Sequence, residues 1–470
     1  MVHEYISIGI IIISLASIYI SFQLLKKASG VIKIPFVSTF FMFKYLIFAY
    51  SGSVLLNVFY FQYEINTGVY DRPDLLLTMW YYTTAGLYLI PLGMFIANWS
   101  TNYNPYKTTS NLLSKNIIIS KNDNSNIMFF LIVILSFLSL GVLLLYISKI
   151  GSIPVMGLFD GLSASDLALL RSDSGNNFTG KYYRYVMFMK TLPLMLLFIL
   201  FFMKNISFKW KVFFYVLLSY NIFVNIMDVS KAPLIKLFLI LMLAYFYSQN
   251  KISRKVFVTT GIILTGVIML MYMFIMGMSD RGFFEILSAP LHRIFIGQIS
   301  PFYYWQLFQE QNGYIYGTSF PNPAHIFPFE SRRITVEIME FAHPKLIELG
   351  ITGSMPTVFF ADWFINFGPF MALFSMILFG FILQIFDIVF ISQLAKKKSL
   401  LLSVAFIYMI NYFGKFAGTG YQGIIIDTNW ILPMLIVFMI IILRQIIKIF
   451  LGGISEKNNI NSTKQLQKRQ

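Results

Sequence analysis

The chain contains no cysteine among its 470 residues and only 20 acidic residues. Without cysteine, disulfides, thiolate metal sites and a cysteine nucleophile are excluded. Charged residues make up only 12% of the chain, about half the proportion found in a soluble domain. Hydrophobic residues make up 57%, which is more apolar surface than a water-soluble fold can bury. The sequence therefore predicts an all-α polytopic integral membrane protein.

Several common signatures of binding and catalytic sites are missing too. The sequence has no glycine-rich phosphate loop, no His-x-x-x-His pair and no Gly-x-Ser-x-Gly elbow. It also lacks an adjacent acidic pair of the kind that holds a metal with a sugar nucleotide, and Asp71 and Asp74 come nearest. The net charge of +16 is explained by lysines retained on the cytoplasmic side of a membrane, without nucleic acid as a partner.

About 20 consecutive apolar residues span a bilayer, and this criterion predicts about eleven transmembrane helices. They belong to a single transmembrane domain, residues 1–454, which is followed by a basic cytoplasmic tail, residues 455–470. The predicted spans are 5–25, 36–60, 75–97, 127–148, 185–203, 212–228, 232–248, 256–277, 369–393, 399–417 and 430–450.

The distribution of lysine predicts the orientation of these helices. Alternate loops, beginning just after the first helix, are rich in lysine and almost free of acidic residues. Since cytoplasmic loops carry an excess of lysine and arginine, we expect the N-terminus outside and the C-terminus in the cytoplasm. The two larger outward-facing loops are then 149–184 and 279–355.

Arginine follows the opposite distribution. Seven of the ten arginines fall in the outward loops, whereas only five of the 26 lysines do. A cation of either kind suffices for topology, but arginine offers a planar fork that binds phosphate or carboxylate through two hydrogen bonds. The alternative is that these arginines form ordinary salt bridges, for example between Arg333 and Glu337, at the helical spacing of four residues.

Other outward residues also have two interpretations. Tyr303, Tyr304 and Trp305 could stack on sugar rings, but aromatic residues at this depth are more often membrane-interface anchors. Asp362 and Asn366 share a helix face near the membrane surface, where a carboxylate is costly unless it is paired or used. Asp362 is therefore a candidate general base, with helix capping as the alternative.

The order of these features resembles the bacterial O-antigen and oligosaccharide repeat-unit polymerases of the Wzy class. The resemblance rests on the middle loop with Arg171, the helix end at Lys231, the large arginine-bearing loop and the motif Asp362-Trp-Phe-Ile-Asn366-Phe-Gly368. The family often has glutamate at the position of Asp362 and arginine at that of Lys231.

The resemblance implies a metal-independent, cofactor-independent glycosyltransferase with a GT-C-like arrangement in the bacterial inner membrane. Its substrate would be a polyprenyl-pyrophosphate-linked oligosaccharide among the membrane lipids, and its partner a chain-length regulator. Fixed cations would stabilise the charge that develops on a pyrophosphate leaving group. A carboxylate or a histidine would accept the proton of the acceptor hydroxyl. The candidate bases are Asp362, His292 and His325; the candidate pyrophosphate ligands are Arg171, Arg281, Arg293, Arg332 and Lys231.

Three alternatives remain at this level. A related ligase would transfer finished glycan to a lipid core. A flippase would carry the lipid-linked unit outward, and transporters usually place polar sites at the membrane midplane. A scaffold for envelope assembly would depend on no single arginine.

Overall fold

The fold is built from α-helices throughout the part of the chain that the structure, a computed structural model, describes. That part comprises residues 2–59, 72–120, 126–151, 153–158, 160–162, 166–167, 170, 182–229, 231–275, 281–322, 325–348, 353–420, 427, 430–431, 433–443 and 446. Within these ranges we find no strand, and one isolated parallel bridge joins Ile118 to Ser399.

The helices are numbered in chain order. They are α1 (Val2–Ser29), α2 (Val37–Tyr45), α3 (Ser51–Phe59), α4 (Pro73–Ser100), α5 (Pro105–Leu113), α6 (Asn126–Ile150), α7 (Tyr182–Val186), α8 (Leu192–Met203), α9 (Phe208–Ile226), α10 (Lys231–Gln249), α11 (Arg254–Ile275), α12 (Phe283–Phe295), α13 (Pro301–Asn312), α14 (Ile334–Ala342), α15 (Pro344–Glu348), α16 (Phe360–Phe367), α17 (Pro369–Lys396) and α18 (Leu400–Phe413). Short π-helical turns join α2 to α3 and α7 to α8, and a 3₁₀ turn, Gly414–Ala417, follows α18.

Nine helical segments in the described ranges are long and apolar enough to cross a bilayer, which confirms a multi-pass membrane protein. They coincide with nine of the eleven predicted spans. The predicted span 212–228 falls on α9, which has 19 residues but is not among the nine. The last predicted span, 430–450, is described only in part, as the short apolar helix Pro433–Leu443.

The core of the bundle is the crossing of α4 and α17. Two glycines allow their backbones to touch: a Cβ added at Gly93 would lie 2.0 Å from the carbonyl oxygen of Ile377. A Cβ added at Gly380 would lie 2.0 Å from that of Ile90. Membrane helices pack through such small residues because lipid gives them no hydrophobic drive to associate. The two helices therefore form a rigid central pair.

Helix α2 begins inside the bundle and is capped by a carboxylate from α17. Its first residues, from Phe36 to Ser38, are fully buried, so their backbone N–H groups cannot reach water. Asp387 accepts hydrogen bonds from the backbone N–H of Val37 at 2.8 Å and of Ser38 at 2.9 Å, and from the Ser38 hydroxyl at 2.5 Å. A negative charge at a helix N-terminus is favourable. Asp387 thus fixes where α2 starts and how it is rotated.

Lysine-bearing loops meet at one end of the bundle, which we call the basic end. Lys398 is fully buried there, and its ammonium group donates to Asn250 and to the carbonyl of Lys115. Burial lowers the pKa of Lys398 to about 8. The backbone N–H of Ile252 donates to the carbonyl of Lys33 at 2.8 Å, so a further loop joins the same end. Loops that the sequence assigns to one side of the membrane are therefore in contact.

We expect Asp387→Ala to lower the thermal stability of the purified protein, because two buried N–H groups at the start of α2 lose their acceptor. Each such group costs about 1–3 kcal/mol. Melting followed by tryptophan fluorescence in detergent measures the loss. Val389→Ala, on an exposed position of the same helix, is the matched control. Equal melting temperatures for the two variants would contradict the assigned role.

Candidate functional site

Asp362 lies in the first turn of α16, and its side chain is fully buried. Most of this helix is buried, including Ala361, Asp362 and Ile365. It ends at Gly368, where φ is +86°, a conformation that strongly favours glycine. Proline at position 369 then starts α17 in a new direction. The carboxylate is therefore held by a short helix that ends at a fixed change of chain direction.

Asn366, one turn after Asp362 on the same face, ties the long outer segment to α16. Its side-chain oxygen accepts from the backbone N–H of Gly317 at 2.6 Å. Its amide nitrogen donates to the hydroxyl of Ser319 at 2.6 Å and to the backbone carbonyl of Asp362 at 2.5 Å. All of the amide's hydrogen-bonding groups are thus used in fixing the backbone around Asp362.

The Asp362 carboxylate faces the segment after the Gly414–Ala417 turn. A Cβ added at Gly420 would lie 2.3 Å from Oδ2 of Asp362, so the backbone there approaches the carboxylate closely. The turn itself is joined to α16 by a hydrogen bond of 3.3 Å from the backbone N–H of Phe359 to the carbonyl of Phe416. The Asp362 carboxylate therefore lies close to the backbone segment that follows Lys415.

Three lysines gather beside this turn, inside the bundle. Lys415 pairs with Asp427, whose Oδ2 accepts from its ammonium nitrogen at 2.7 Å and from the Tyr412 hydroxyl at 2.6 Å. Lys236 of α10 lies within electrostatic range of Lys415 and Asp427, and Lys44 of α2 within range of Lys236. We call this group of three lysines and Asp427 the lysine hollow.

The ammonium groups of two of these lysines, Lys44 and Lys415, lie near aromatic rings. The ammonium nitrogen of Lys44 is 5.6 Å from the Phe40 ring centroid and 5.4 Å from that of Phe48. That of Lys415 is 4.1 Å from the ring of Tyr412. An aromatic face stabilises a cation where water is scarce. Lys415 of this group precedes the segment whose Gly420 lies against the carboxylate of Asp362, the candidate base.

Two of the predicted arginine ligands are engaged in ion pairs. Arg281 pairs with Glu285 at 3.4 Å, and both side chains are exposed. Arg332 pairs with Glu337, which raises the pKa of the guanidinium above its ordinary value. The expected pair between Arg333 and Glu337 is replaced by this one, because Arg333 is the N-cap residue of α14, with ψ of 63°, and lies outside the helix.

The other predicted ligands and bases are dispersed. Arg293 is exposed in the last turn of α12, next to the partly buried His292, and His325 is exposed in the loop after α13 with φ of +53°. Arg171 lies outside the described residues. Lys231 begins α10, and its side chain lies outside the described part as well.

The aromatic triplet of α13 belongs largely to the core. The Trp305 ring is fully buried and donates from Nε1 to the carbonyl of Met355 at 3.1 Å, and Tyr303 is 2% exposed. Only Tyr304 of the three keeps appreciable surface, and its ring lies 5.9 Å from that of His343. Because the rings of Tyr303 and Trp305 are buried, they cannot stack on a sugar in this structure. Sugar stacking remains a prediction for Tyr304 alone.

The predicted ligands are four outward arginines in addition to Lys231, and none of the three lysines of the hollow is among them. A signal was present, because an ionisable side chain within a predicted span is by itself a candidate for function. Lys44 and Lys236 lie inside such spans, and Lys415 near the end of another. Among the described residues, histidine and acidic side chains form no group of three that could hold a metal ion.

We expect Asn366→Ala to loosen the segment around Gly317, because the buried N–H of Gly317 loses its acceptor. Hydrogen–deuterium exchange of peptides covering residues 313–322 should become at least tenfold faster. Asn312→Ala is the control, since its side chain donates only to the carbonyl of Phe308 at the end of α13. Unchanged exchange in the Asn366 variant would refute the anchoring role.

Comparison of the chain with protein-family models, with curated proteins and with solved structures gives no match. The features that indicate a function are therefore the geometry around α16 and the sequence motif at Asp362.

Proposed function

We propose that this protein is a polymerase that transfers a growing glycan from polyprenyl pyrophosphate to the non-reducing end of an incoming lipid-linked oligosaccharide unit. The observation that carries the proposal is the buried carboxylate of Asp362, held by α16 over the chain that carries Lys415. A base beside a cluster of fixed cations is what a transfer with a diphosphate leaving group requires. The Asp362–Gly368 motif, which resembles that of the Wzy class, supports the same assignment.

In the proposed reaction, Asp362 accepts the proton of the acceptor hydroxyl. The hydroxyl oxygen then attacks the anomeric carbon of the growing chain and forms the new glycosidic bond. The bond from that carbon to the diphosphate oxygen breaks, and the lipid diphosphate leaves with the electron pair. Because the leaving group is already activated, the step as written requires no metal.

The proposal includes an orientation. We place the N-terminus and α16 at the outer face of a bacterial inner membrane, and the C-terminus in the cytoplasm, in a GT-C-like arrangement. Contacts among the lysine-bearing loops at the basic end support this, since lysine is retained on the cytoplasmic side. A chain-length regulator remains the proposed protein partner.

A flippase for the lipid-linked unit is the second candidate, and the lysine hollow favours it. Most charged residues lie outside the predicted spans, which is unfavourable for transport. In the structure, however, three cations lie among helices of the bundle, where transporters place polar sites. The two functions differ in a strain that lacks the protein: a lost polymerase leaves caps of a single unit, whereas a lost flippase leaves none.

We expect Asp362→Asn to abolish polymer while single-unit caps persist, because the amide cannot accept the proton. Glycan length on denaturing gels, in a deletion strain complemented at matched protein levels, measures this. Glu310→Gln, at an exposed carboxylate paired with Arg72, should leave polymer length unchanged. Long polymer in the Asp362 variant would overturn the assignment of the base, and loss of every cap would favour the ligase or the flippase.

We expect Gly420→Ala to shorten the polymer or abolish it, because the added methyl group would displace the Asp362 carboxylate. Gly353→Ala is the matched control, since a Cβ there makes only an ordinary contact of 3.4 Å with Met339. The same gel assay applies, with melting temperature as a check on folding. Polymer of normal length in a folded Gly420 variant would show that the close approach is unimportant for activity.

A further inference from the structure

Two tyrosines in the segment that follows α13, Tyr314 and Tyr316, present their rings at the surface. Tyr316 is 75% exposed and Tyr314 is 38% exposed. Their ring centroids lie 6.5 Å apart, at an angle of 71°. Tyrosine rings offer a large contact area at a low cost in conformational entropy, which suits them to bind a ligand. We call this pair the tyrosine ledge.

The backbone of the ledge is fixed by the end of α16. The last carbonyl groups of a helix have no partner within the helix itself. Here the backbone N–H of Ile315 donates to the carbonyl of Ile365 at 3.2 Å, and the N–H of Tyr316 donates in the same way to the carbonyl of Asn366 at 3.2 Å. The N–H of Gly317 continues this contact through its hydrogen bond to the Asn366 side chain. The ledge and the candidate base are therefore held by the same helix.

Tyr316 adopts a backbone conformation that its side chain disfavours. Its φ is +46°, in the left-handed region, where residues with a bulky side chain are uncommon. Such a conformation persists only where the surrounding structure imposes it, and it is concentrated at functional sites. The ring of Tyr314 is held as well, because a Cβ added at Gly368 would lie 3.0 Å from its hydroxyl oxygen. The two rings are thus fixed in position before any ligand binds, which reduces the ordering that binding requires.

The surroundings of the ledge are polar. Glu310, Gln311 and Asn312, which come just before it, are exposed. The ion pair between Glu310 and Arg72, at 3.3 Å, is exposed too. Because charged side chains are costly in the hydrocarbon of a bilayer, this surface lies in water or among headgroups. The ligand that fits it is polar and also has a face that packs on an aromatic ring.

A sugar ring has both properties. The face of an aromatic ring carries partial negative charge, so the C–H groups on one side of a pyranose pack against it. The hydroxyl groups of the same sugar remain bonded to water and to neighbouring polar groups. A lipid tail lacks the hydroxyls, and a small anion lacks the apolar face.

We propose that the tyrosine ledge is a carbohydrate-binding surface, on which a pyranose of a glycan stacks against Tyr316 and contacts Tyr314 at its edge. The anchoring residue Asn366 lies one helical turn from Asp362, about 6 Å along the axis. That the bound glycan is the acceptor of the transfer rests on the proposed function, whereas carbohydrate binding is a property of the ledge alone. The ledge has the stacking role that the buried rings of Tyr303 and Trp305 cannot have.

Hydroxyl-radical footprinting of the full-length protein in phospholipid nanodiscs tests the proposal. The probe is the lipid-free oligosaccharide released by mild acid from the lipid-linked glycan of the cells that produce the protein. We expect Tyr316 to be oxidised in the absence of the oligosaccharide, and at least fivefold more slowly when it is present at millimolar concentration. Tyr106, an exposed tyrosine of α5, is the internal control and should be oxidised at the same rate in both samples.

Binding of the same oligosaccharide to variants in detergent, measured by isothermal titration calorimetry, shows whether the ring is the cause. We expect Tyr316→Gly to weaken binding at least tenfold and Tyr316→Phe, which keeps the ring, to weaken it no more than threefold. Glycine adopts a positive φ readily, so the glycine variant should melt no lower than the unaltered protein. Tyr106→Ala is the matched control and should bind as the unaltered protein does.

Three results would overturn the carbohydrate-binding surface. The first is protection of Tyr316 in nanodiscs without oligosaccharide, which would identify the ledge as an anchor in the lipid headgroups. The second is equal binding by Tyr316→Gly and by the unaltered protein. The third is no binding by the unaltered protein at millimolar oligosaccharide.

The two proposals fail separately. Polymer that persists in Asp362→Asn while Tyr316→Gly loses the oligosaccharide would refute the assigned base and retain the ledge. Polymer lost in Asp362→Asn, with oligosaccharide binding unchanged in Tyr316→Gly, would refute the ledge and retain the polymerase.

Discussion

A charge inside a membrane-spanning bundle is costly unless a partner compensates it, and this constraint organises the structure. Asp387 is buried in α17 and is compensated by the first N–H groups of α2. Lys398 is buried at the basic end, where Asn250 and backbone carbonyls surround its ammonium group. These two compensated charges hold α2, α10 and the lysine-bearing loops around the rigid pair of α4 and α17. The helices that contribute the site are thereby set in place.

At the lysine hollow, Asp427 compensates Lys415 through an ion pair of 2.7 Å. Because Asp387 fixes the start of α2, the position of Lys44 seven residues later is fixed relative to the Gly414–Ala417 turn. That turn is joined by a backbone hydrogen bond to the start of α16, which carries Asp362. One chain of contacts therefore runs from the core of the bundle to the candidate base. The positive hollow and the buried carboxylate are two parts of one rigid arrangement.

The helical membrane class and nine of the spans could be predicted because they depend on local apolar content. The shared face of Asp362 and Asn366 also follows from local spacing, and both residues are buried. The hollow could not be assembled from sequence, since Lys44, Lys236 and Lys415 come together only through contacts between distant segments. Arg281 and Arg332, predicted as ligands from the distribution of arginine, pair in the structure with glutamates four and five residues away. Of these two pairs, only Arg281 with Glu285 has the spacing of four residues that a sequence makes visible.

The cap on α2 also has a consequence for how the protein is made. Val37 and Asp387 are separated by 350 residues, so α2 enters the membrane long before its cap exists. At about 5–20 residues per second, synthesis of the intervening chain takes on the order of 20–70 s. During that interval the first N–H groups of α2 must be satisfied by water, lipid headgroups or the insertion machinery. The bundle can therefore close only when α17 arrives, and assembly is a late event in biosynthesis.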